Sequence, residues 1–384
     1  MKIRYNNNFL FLYKIFIFIL ILMYMLESTS LTDFSESIFY DVLQLSALGI
    51  AFLYIVKRNY SLKELKRLFI LNAVGLVCFI SSGLTGLFMT MLAISLLPKG
   101  SIDKILNMIL KEEVVIFSVI VVLSVIGILN NQMFDISKGT YVAGAYSLGF
   151  GHPNMLAAQG TSIVLLYLCI NRNKLKGRHY FVATLGVLII FMFSKGRTSV
   201  LLGIFAIALI AISKSKKKVA KIVMKILPWT YVAVICALII CMAIYSKLGE
   251  NAPVVKLLND SLFNGRIGLA YRSLLVYPTT LFGKKIDTSI WNQYQYYSLD
   301  NGQVMVLLEY GIIGFLVYFY VIQQTLKKIK NEKETVLGVV MIVFLIWSMY
   351  EGTMYFIGKN FALLFLGTGN NMLKFNLKRK REKK

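Results

Sequence analysis

The chain has 384 residues, 57% of them hydrophobic and only 16% charged, and its mean hydropathy is +0.68. Soluble domains carry about a quarter charged residues, so an ordinary soluble globule is excluded. The net charge of +24, from 42 Lys+Arg against 18 Asp+Glu, would point to nucleic acid in a soluble protein; in so apolar a chain, what matters is where those charges lie.

Apolar runs long enough to cross ~30 Å of hydrocarbon recur throughout. They cover 9–26, 38–56, 68–82, 84–98, 114–130, 154–170, 180–194, 198–213, 226–245, 303–322, 336–350 and 356–370. The first is too long for a cleavable signal peptide, and no small-residue cleavage site follows at Met25–Ser30. Ser81-Ser82-Gly83 and Gly86 divide the stretch 68–98, because a single helix of that length would run ~46 Å. The pattern predicts an all-α integral membrane protein of about twelve transmembrane helices, a single polytopic domain over 1–384.

With both termini cytoplasmic, the inner segments are 1–8, 57–67, 99–113, 171–179, 214–225, 323–335 and 371–384. They hold 31 Lys/Arg against seven acids, and the remainder of the chain holds 11 of each, so the whole excess faces inward. This is the positive-inside pattern. The tail 371–384, with Lys378-Arg379-Lys380-Arg381, then reads as an anchor at an anionic leaflet and not as a nucleic-acid contact. Lys14, near the inner end of the first span, is expected to snorkel. On the other side lie a moderate extracytoplasmic loop, 131–153, with Gly139, Gly144, Gly149 and Gly151, and a large one, 246–302. Neither is big enough for an enzyme domain, which places any chemistry at the outer membrane face.

The four cysteines, Cys78, Cys169, Cys236 and Cys241, fall in apolar stretches, and the only histidines are His152 and His179. Neither a metal centre nor a disulfide framework is expected.

Four polar groups fall on the outer side. The first is Gly149-Phe150-Gly151-His152-Pro153-Asn154. Pro153 and Asn154 suit a helix start, whereas His152 has no evident structural need there. The second is Ser194-Lys195-Gly196-Arg197-Thr198-Ser199, whose Lys195 and Arg197 oppose the inward charge bias. They either snorkel or bind an anion, for which the Arg197 fork is suited. The third is Asn264-Gly265-Arg266 through Arg272; on a helix the two arginines sit about 120° apart, flanking a polyanion or solubilising the loop. Trp291, Tyr294, Tyr296 and Tyr297 follow, as sugar-stacking or interfacial aromatics. The fourth is Asp300-Asn301-Gly302, where helix capping is a strong alternative to function, with Glu309 about 10 Å into the next span and Gly311-Ile312-Ile313-Gly314 after it. His152, Arg197 and Asp300 each begin a span running inward, where helix N-termini favour phosphate.

In topology and in these motifs, from Ser147-Leu148-Gly149-Phe150-Gly151-His152-Pro153-Asn154 to Asp300-Asn301-Gly302 and Gly314, the chain resembles bacterial oligosaccharide repeat-unit polymerases of the Wzy class, with a GT-C-like polymerase/ligase architecture. The related O-antigen ligases carry His-Asn, nine residues, then Gly-x-x-Gly; aspartate stands in place of that histidine here, which argues against ligase activity. The resemblance implies glycosyl transfer between undecaprenyl-pyrophosphate-linked oligosaccharides at the outer face of the cytoplasmic membrane, yielding capsular polysaccharide, exopolysaccharide or O-antigen. It implies no nucleotide sugar, metal or other cofactor, and, as partners, a flippase and a chain-length regulator but no nucleic acid. Arg197, Arg266, Arg272 and Lys195 are expected to bind pyrophosphate, Asp300 or Glu309 to deprotonate the acceptor hydroxyl, and His152 to act as a further polar ligand, with Asn154 and Asn301 supporting helix starts. A lipid-linked oligosaccharide flippase is the second reading, disfavoured by the few mid-span charges. A purely structural membrane protein has no need of three cationic outer motifs.

Overall fold

A computed structural model describes residues 7–31, 34–138, 141–286 and 299–368. Its helices are α1 (Asn7–Glu27), α2 (Ile38–Lys57), α3 (Leu62–Ser82), α4 (Gly86–Leu96), α5 (Ile102–Val125), α6 (Pro153–Ile170), α7 (Gly177–Ser194), α8 (Arg197–Ser215), α9 (Lys217–Ile226), α10 (Thr230–Leu248), the short α11 (Pro253–Val255), α12 (Arg266–Val276), α13 (Gly302–Asn331) and α14 (Thr335–Trp347). Among the described residues, eight helical stretches are long and apolar enough to cross a membrane, one of them α9 joined to α10, and α4 and α14 are shorter apolar helices. Large apolar side chains stand exposed around the outside, among them Ile38, Phe69, Ile80, Phe181 and Leu201. That inverts the soluble pattern and fits a multi-pass membrane protein.

The stretch 68–98 does divide. Gly83 ends α3 in the left-handed region (φ 73), its N–H donating to the Phe79 carbonyl, and α4 begins three residues later. Nearly every residue of α4 and α14 is buried. Helices apolar all round and enclosed by others touch no lipid, which is why about 16 and 20 Å of helix suffice there.

Several expected boundaries shift: α3 starts at Leu62 and not at 68, and α13 runs on to Asn331 and not to 322. In place of 114–130, α5 starts at Ile102, because the apolar stripe of Ile105, Leu106 and Ile109 continues through the charged half. Glu112 and Glu113, expected in an inner segment, therefore lie ~15–17 Å along the helix; Glu113 is fully buried, and neither of its oxygens has a hydrogen-bond partner among the described residues. The expected span 356–370 is not an α-helix. It contains a buried 3₁₀ stretch, Phe361–Thr368. From Gly358 against Tyr24, near the end of α1, the chain reaches Gly367 against Leu97, past the end of α4. Nine residues at about 2.0 Å rise cover roughly 18 Å, so this strand of chain traverses the interior in parallel with α4's own direction.

Loop 131–153 is more ordered than a loop: β1 (Met133–Lys138) and β2 (Tyr141–Tyr146) pair antiparallel, Met133 opposite Tyr146. The chain's two ends of the bundle differ in their charges. At one end Arg172, between α6 and α7, bridges Asp103 at 2.8 Å and Glu334 at 3.1 Å, while Glu64 takes Arg58 and Lys99. The other end gathers the N-termini of α6, α8 and α13 with the hairpin. The tail 371–384 and the aromatics Trp291, Tyr294, Tyr296 and Tyr297 lie outside the described residues.

Candidate functional site

The segment before α6 is held as a clamp. Ser30 donates its N–H to the Gly149 carbonyl (2.8 Å), Gly151 donates to the Ser28 carbonyl (3.0 Å), and Thr29 bridges to Phe150. Gly149 is left-handed (φ 87), and a side chain there would meet the Ile120 carbonyl oxygen at 2.9 Å. The clamp delivers His152 as the N-cap of α6: its Nδ1 accepts from the Asn154 N–H at 3.1 Å, and its ring lies 4.8 Å from that of Phe134. The histidine thus has the structural role that its sequence context did not disclose. With Nδ1 accepting, the neutral ring is assigned its proton on Nε2, leaving a donor and not a base lone pair facing outward. Burial, opposed by Asp300 and Glu351 and reinforced by Arg266, holds the imidazole below its usual range.

Arg266 starts α12 after two left-handed residues, Asn264 (φ 50) and Gly265 (φ 83). A cation at a helix N-terminus is unfavourable by the dipole, and two acceptors offset it: Nη2 pairs with Asp300 at 3.0 Å, and Nε donates to the Tyr350 carbonyl at 2.9 Å. Asp300 is therefore a salt-bridge partner and not a cap. Capping falls to the buried Asn301, which accepts from the Val304 N–H (3.1 Å) and donates to the Met349 carbonyl (3.3 Å). Gly302 also donates to the Ser348 carbonyl at 2.8 Å, so the start of α13 is fastened to the end of α14.

Nine residues further, α13 breaks. Gly311 has φ 73 and ψ −177, a conformation closed to residues with a side chain. The break is filled by residues 280–284: Ile312 donates to the Thr280 carbonyl (2.9 Å), Ile313 to the Leu281 carbonyl (3.0 Å), and Lys284 to the Leu308 carbonyl (3.3 Å). Gly283 (φ 90) lies directly on the Glu309 carbonyl, and Ser81 donates to the Gly283 carbonyl at 2.8 Å. The Gly-x-x-Gly spacing thus has a backbone cause, since Gly311 admits the loop and Gly314 packs against Cys78 and Leu87. Immediately before the break, Glu309 accepts from the Tyr355 hydroxyl at 3.3 Å, which in turn accepts from Tyr310 at 3.3 Å.

Two functional candidates went unnoticed in the sequence. Lys359 is almost fully buried and pairs with Glu351 at 3.1 Å, its ammonium 5.7 Å from the Tyr24 ring; Ser162 of α6 donates to its carbonyl at 2.8 Å. A lysine inside the expected span 356–370, eight residues after an acid, was the available signal. The structure therefore gathers His152, Arg266 and Asp300, with Glu351 and Lys359 beside them, and sets Glu309 deeper on α13.

It does not gather the rest. Arg272 leaves Arg266 and pairs with Glu250, next to the Tyr245 hydroxyl, between α10 and α12. Two arginines flanking one polyanion are not formed, because the partners lie on different elements. Lys195 is the left-handed cap of α7 (φ 52), and Arg197 opens α8 exposed, with no ion pair among the described residues. Gly196 packs on Ala157 of α6, so the starts of α6 and α8 are adjacent, and α14 packs on α6, α8 and α13. Asn154 contributes its backbone N–H to the His152 cap. No group of metal-ligating side chains occurs among the described residues. Compared with known proteins, the chain matches no family model, no curated protein and no solved structure.

Proposed function

We propose that the protein is a membrane glycosyltransferase that polymerises polyprenyl-pyrophosphate-linked oligosaccharide repeat units at the outer face of the cytoplasmic membrane. The observation that carries this reading is one polar cluster, Arg266–Asp300 with His152 and Glu351–Lys359, placed at an end of an otherwise apolar bundle, with the Glu309 carboxylate about 10 Å deeper on the same helix. A substrate with an anionic headgroup at membrane level and a glycan outside needs that combination. The Arg266 guanidinium is suited to pyrophosphate oxygens, and the His152 Nε2–H adds a neutral donor.

In the transfer, an acceptor sugar hydroxyl attacks the anomeric carbon of the donor. The new C–O bond forms as the anomeric C–O bond to pyrophosphate breaks, and the pyrophosphate leaves with the electron pair. Arg266 stabilises that departing charge. The hydroxyl proton passes to a carboxylate, Asp300 or Glu309. As pyrophosphate enters, Arg266 exchanges Asp300 for phosphate, freeing Asp300 to accept the proton.

A second reading, a lipid-linked oligosaccharide transporter, draws support from the broken α13, since discontinuous helices at membrane depth are a transporter feature. A deletion strain separates the two. Loss of a polymerase leaves exported single repeat units, and loss of a transporter traps them inside; unchanged polysaccharide chain length sinks the polymerase reading.

A further inference from the structure

At the end of the bundle that holds Arg172, several charges are settled within the protein. Glu64 takes Arg58 and Lys99, Arg172 takes Asp103 and Glu334, and Lys328 lies near Glu332. The lysines around α9 differ. Lys214, Lys216, Lys217, Lys218, Lys221 and Lys225 are all exposed, and none has an ion pair among the described residues. The sequence holds no Asp or Glu from 136 to 249, so the helices joined to α9 supply it with no acid. Both α3 and α5 carry an acid in the first turn, Glu64 and Asp103, whereas α9 opens on Lys217-Lys218 with none. Cations in that turn oppose the helix dipole. The helix therefore presents a positive charge that an external anion would offset.

The other faces of α9 decide which anion that is. Val223 is buried and Met224 packs on Gly338 of α14, which fastens the helix to the bundle. Lys217, Lys218, Lys221 and Lys225 fall within an arc of about 100°. Beside that arc runs an exposed apolar stripe of Ile222, Ile226 and Trp229, the last 70% exposed in the 3₁₀ turn Leu227–Trp229 that follows. A lysine face beside an open apolar stripe is the composition of a helix lying at a membrane boundary, and tryptophan favours headgroup depth. The 19 residues of α10 run about 29 Å, close to the thickness of the hydrocarbon layer, which leaves α9 at headgroup level. We infer that α9 is an interfacial helix that binds the phosphate-bearing headgroups of anionic phospholipids. Its lysines meet the phosphates, and Ile222, Ile226 and Trp229 enter the adjoining acyl chains. A soluble phosphate has nothing to place on that stripe, so the occupant is a lipid. The inference goes beyond the polymerase reading and does not depend on it.

The test is photolabelling of the full-length protein in phosphatidylcholine nanodiscs with a phosphatidylglycerol that carries a diazirine high in one acyl chain. Adducts are mapped by mass spectrometry. Labelling is expected at 222–229, displaced by unlabelled phosphatidylglycerol and not by added phosphatidylcholine, and weakened as salt is raised. The fourfold variant Lys217→Gln, Lys218→Gln, Lys221→Gln, Lys225→Gln should cut that labelling at least about tenfold. The matching fourfold Lys→Arg variant should keep it, because the guanidinium also takes phosphate oxygens. Should the glutamine variant fail to insert, the competition and the salt dependence of the unaltered protein still decide. Equal displacement by phosphatidylcholine, labelling indifferent to salt, or full labelling of the glutamine variant overturns the proposal. Displacement by soluble glycerol phosphate as readily as by the lipid overturns the lipid as occupant. Since the readout is lipid binding, glycan chain length plays no part in it, and failure of the polymerase reading leaves this outcome unchanged.

Discussion

The two ends of the bundle use charge in opposite ways. At the end holding Arg172, the cations greatly outnumber the acids, and most stand exposed, as Lys214, Lys216, Lys217, Lys218, Lys221 and Lys225 do around α9. The few acids there serve as fasteners: Asp103 and Glu334 on Arg172, Glu64 on Arg58 and Lys99. At the other end charges are fewer and three pairs form, Arg266 with Asp300, Lys359 with Glu351 and Arg272 with Glu250, while Arg197 stands exposed. There they sit against a broken helix and a histidine cap. An excess of exposed lysines sets orientation and lipid contact, whereas a buried, balanced set costs desolvation and is retained where it holds a site together.

Five substitutions break or sharpen that contrast. The largest effect is expected for Arg266→Ala, which removes the proposed pyrophosphate ligand and strands Asp300. Polymerisation should fall by at least ~100-fold while membrane insertion is unchanged, read as glycan chain length and as protein in the membrane fraction. Wild-type chain lengths from this variant would take Arg266 out of the site.

Next come Glu351→Gln and Lys359→Met. Each leaves a buried partner uncompensated and should lower stability by roughly 3 kcal/mol. The double variant should lose much less than the sum of the two, measured by thermal unfolding in detergent. Additive losses would show that the two groups do not act as a pair.

At the opposite end, Arg172→Ala should cost about 2 kcal/mol, less than a fully buried pair because Asp103 stays hydrated. Activity per folded molecule should not change, which is the sharpest statement of the difference between the ends. A loss of turnover without a loss of stability would make the Arg172 end part of the mechanism.

The smallest effect concerns His152. Its folded pKa is depressed by burial, so the folded protein binds fewer protons than the unfolded chain. The corresponding stability is present above the unfolded value of about 6.5 and is lost as pH falls through the lower folded value. His152→Asn keeps an N-cap acceptor and should flatten the acid-side loss below about pH 6.5, by less than ~1 kcal/mol overall. An unaltered slope would assign that loss to other groups.

Much of the candidate site was legible in the residues, in pieces. The run Gly149–Asn154, the arginine after Asn264-Gly265, and Asp300 ahead of a span are all composed of turn and cap residues next to ionisable ones, which is why they stood out. Their pairing was not legible, because Arg266 meets Asp300 across thirty-odd intervening residues and His152 feels the charge of both across more than a hundred. The divergence of Arg272 followed from Glu250, an acid in an unremarkable stretch of loop. Lys359 was hidden by the apolar run around it, and only its burial against Glu351 and Tyr24 shows that it does not snorkel.

By itself the sequence determined that the chain is apolar enough for a multi-pass membrane protein, where most helices begin and end, and that 68–98 must divide, because hydrophobic length and glycine position are local properties. Only the tertiary structure decided that α4 and α14 are enclosed and so can be short, that 361–368 crosses the interior as a 3₁₀ strand, and that α13 opens at Gly311 to admit residues 280–284. Each of those depends on what covers a backbone group or a side chain. In an apolar bundle, where nearly every run looks alike in hydropathy, it is the neighbour that satisfies each polar atom that sets one arrangement apart from another.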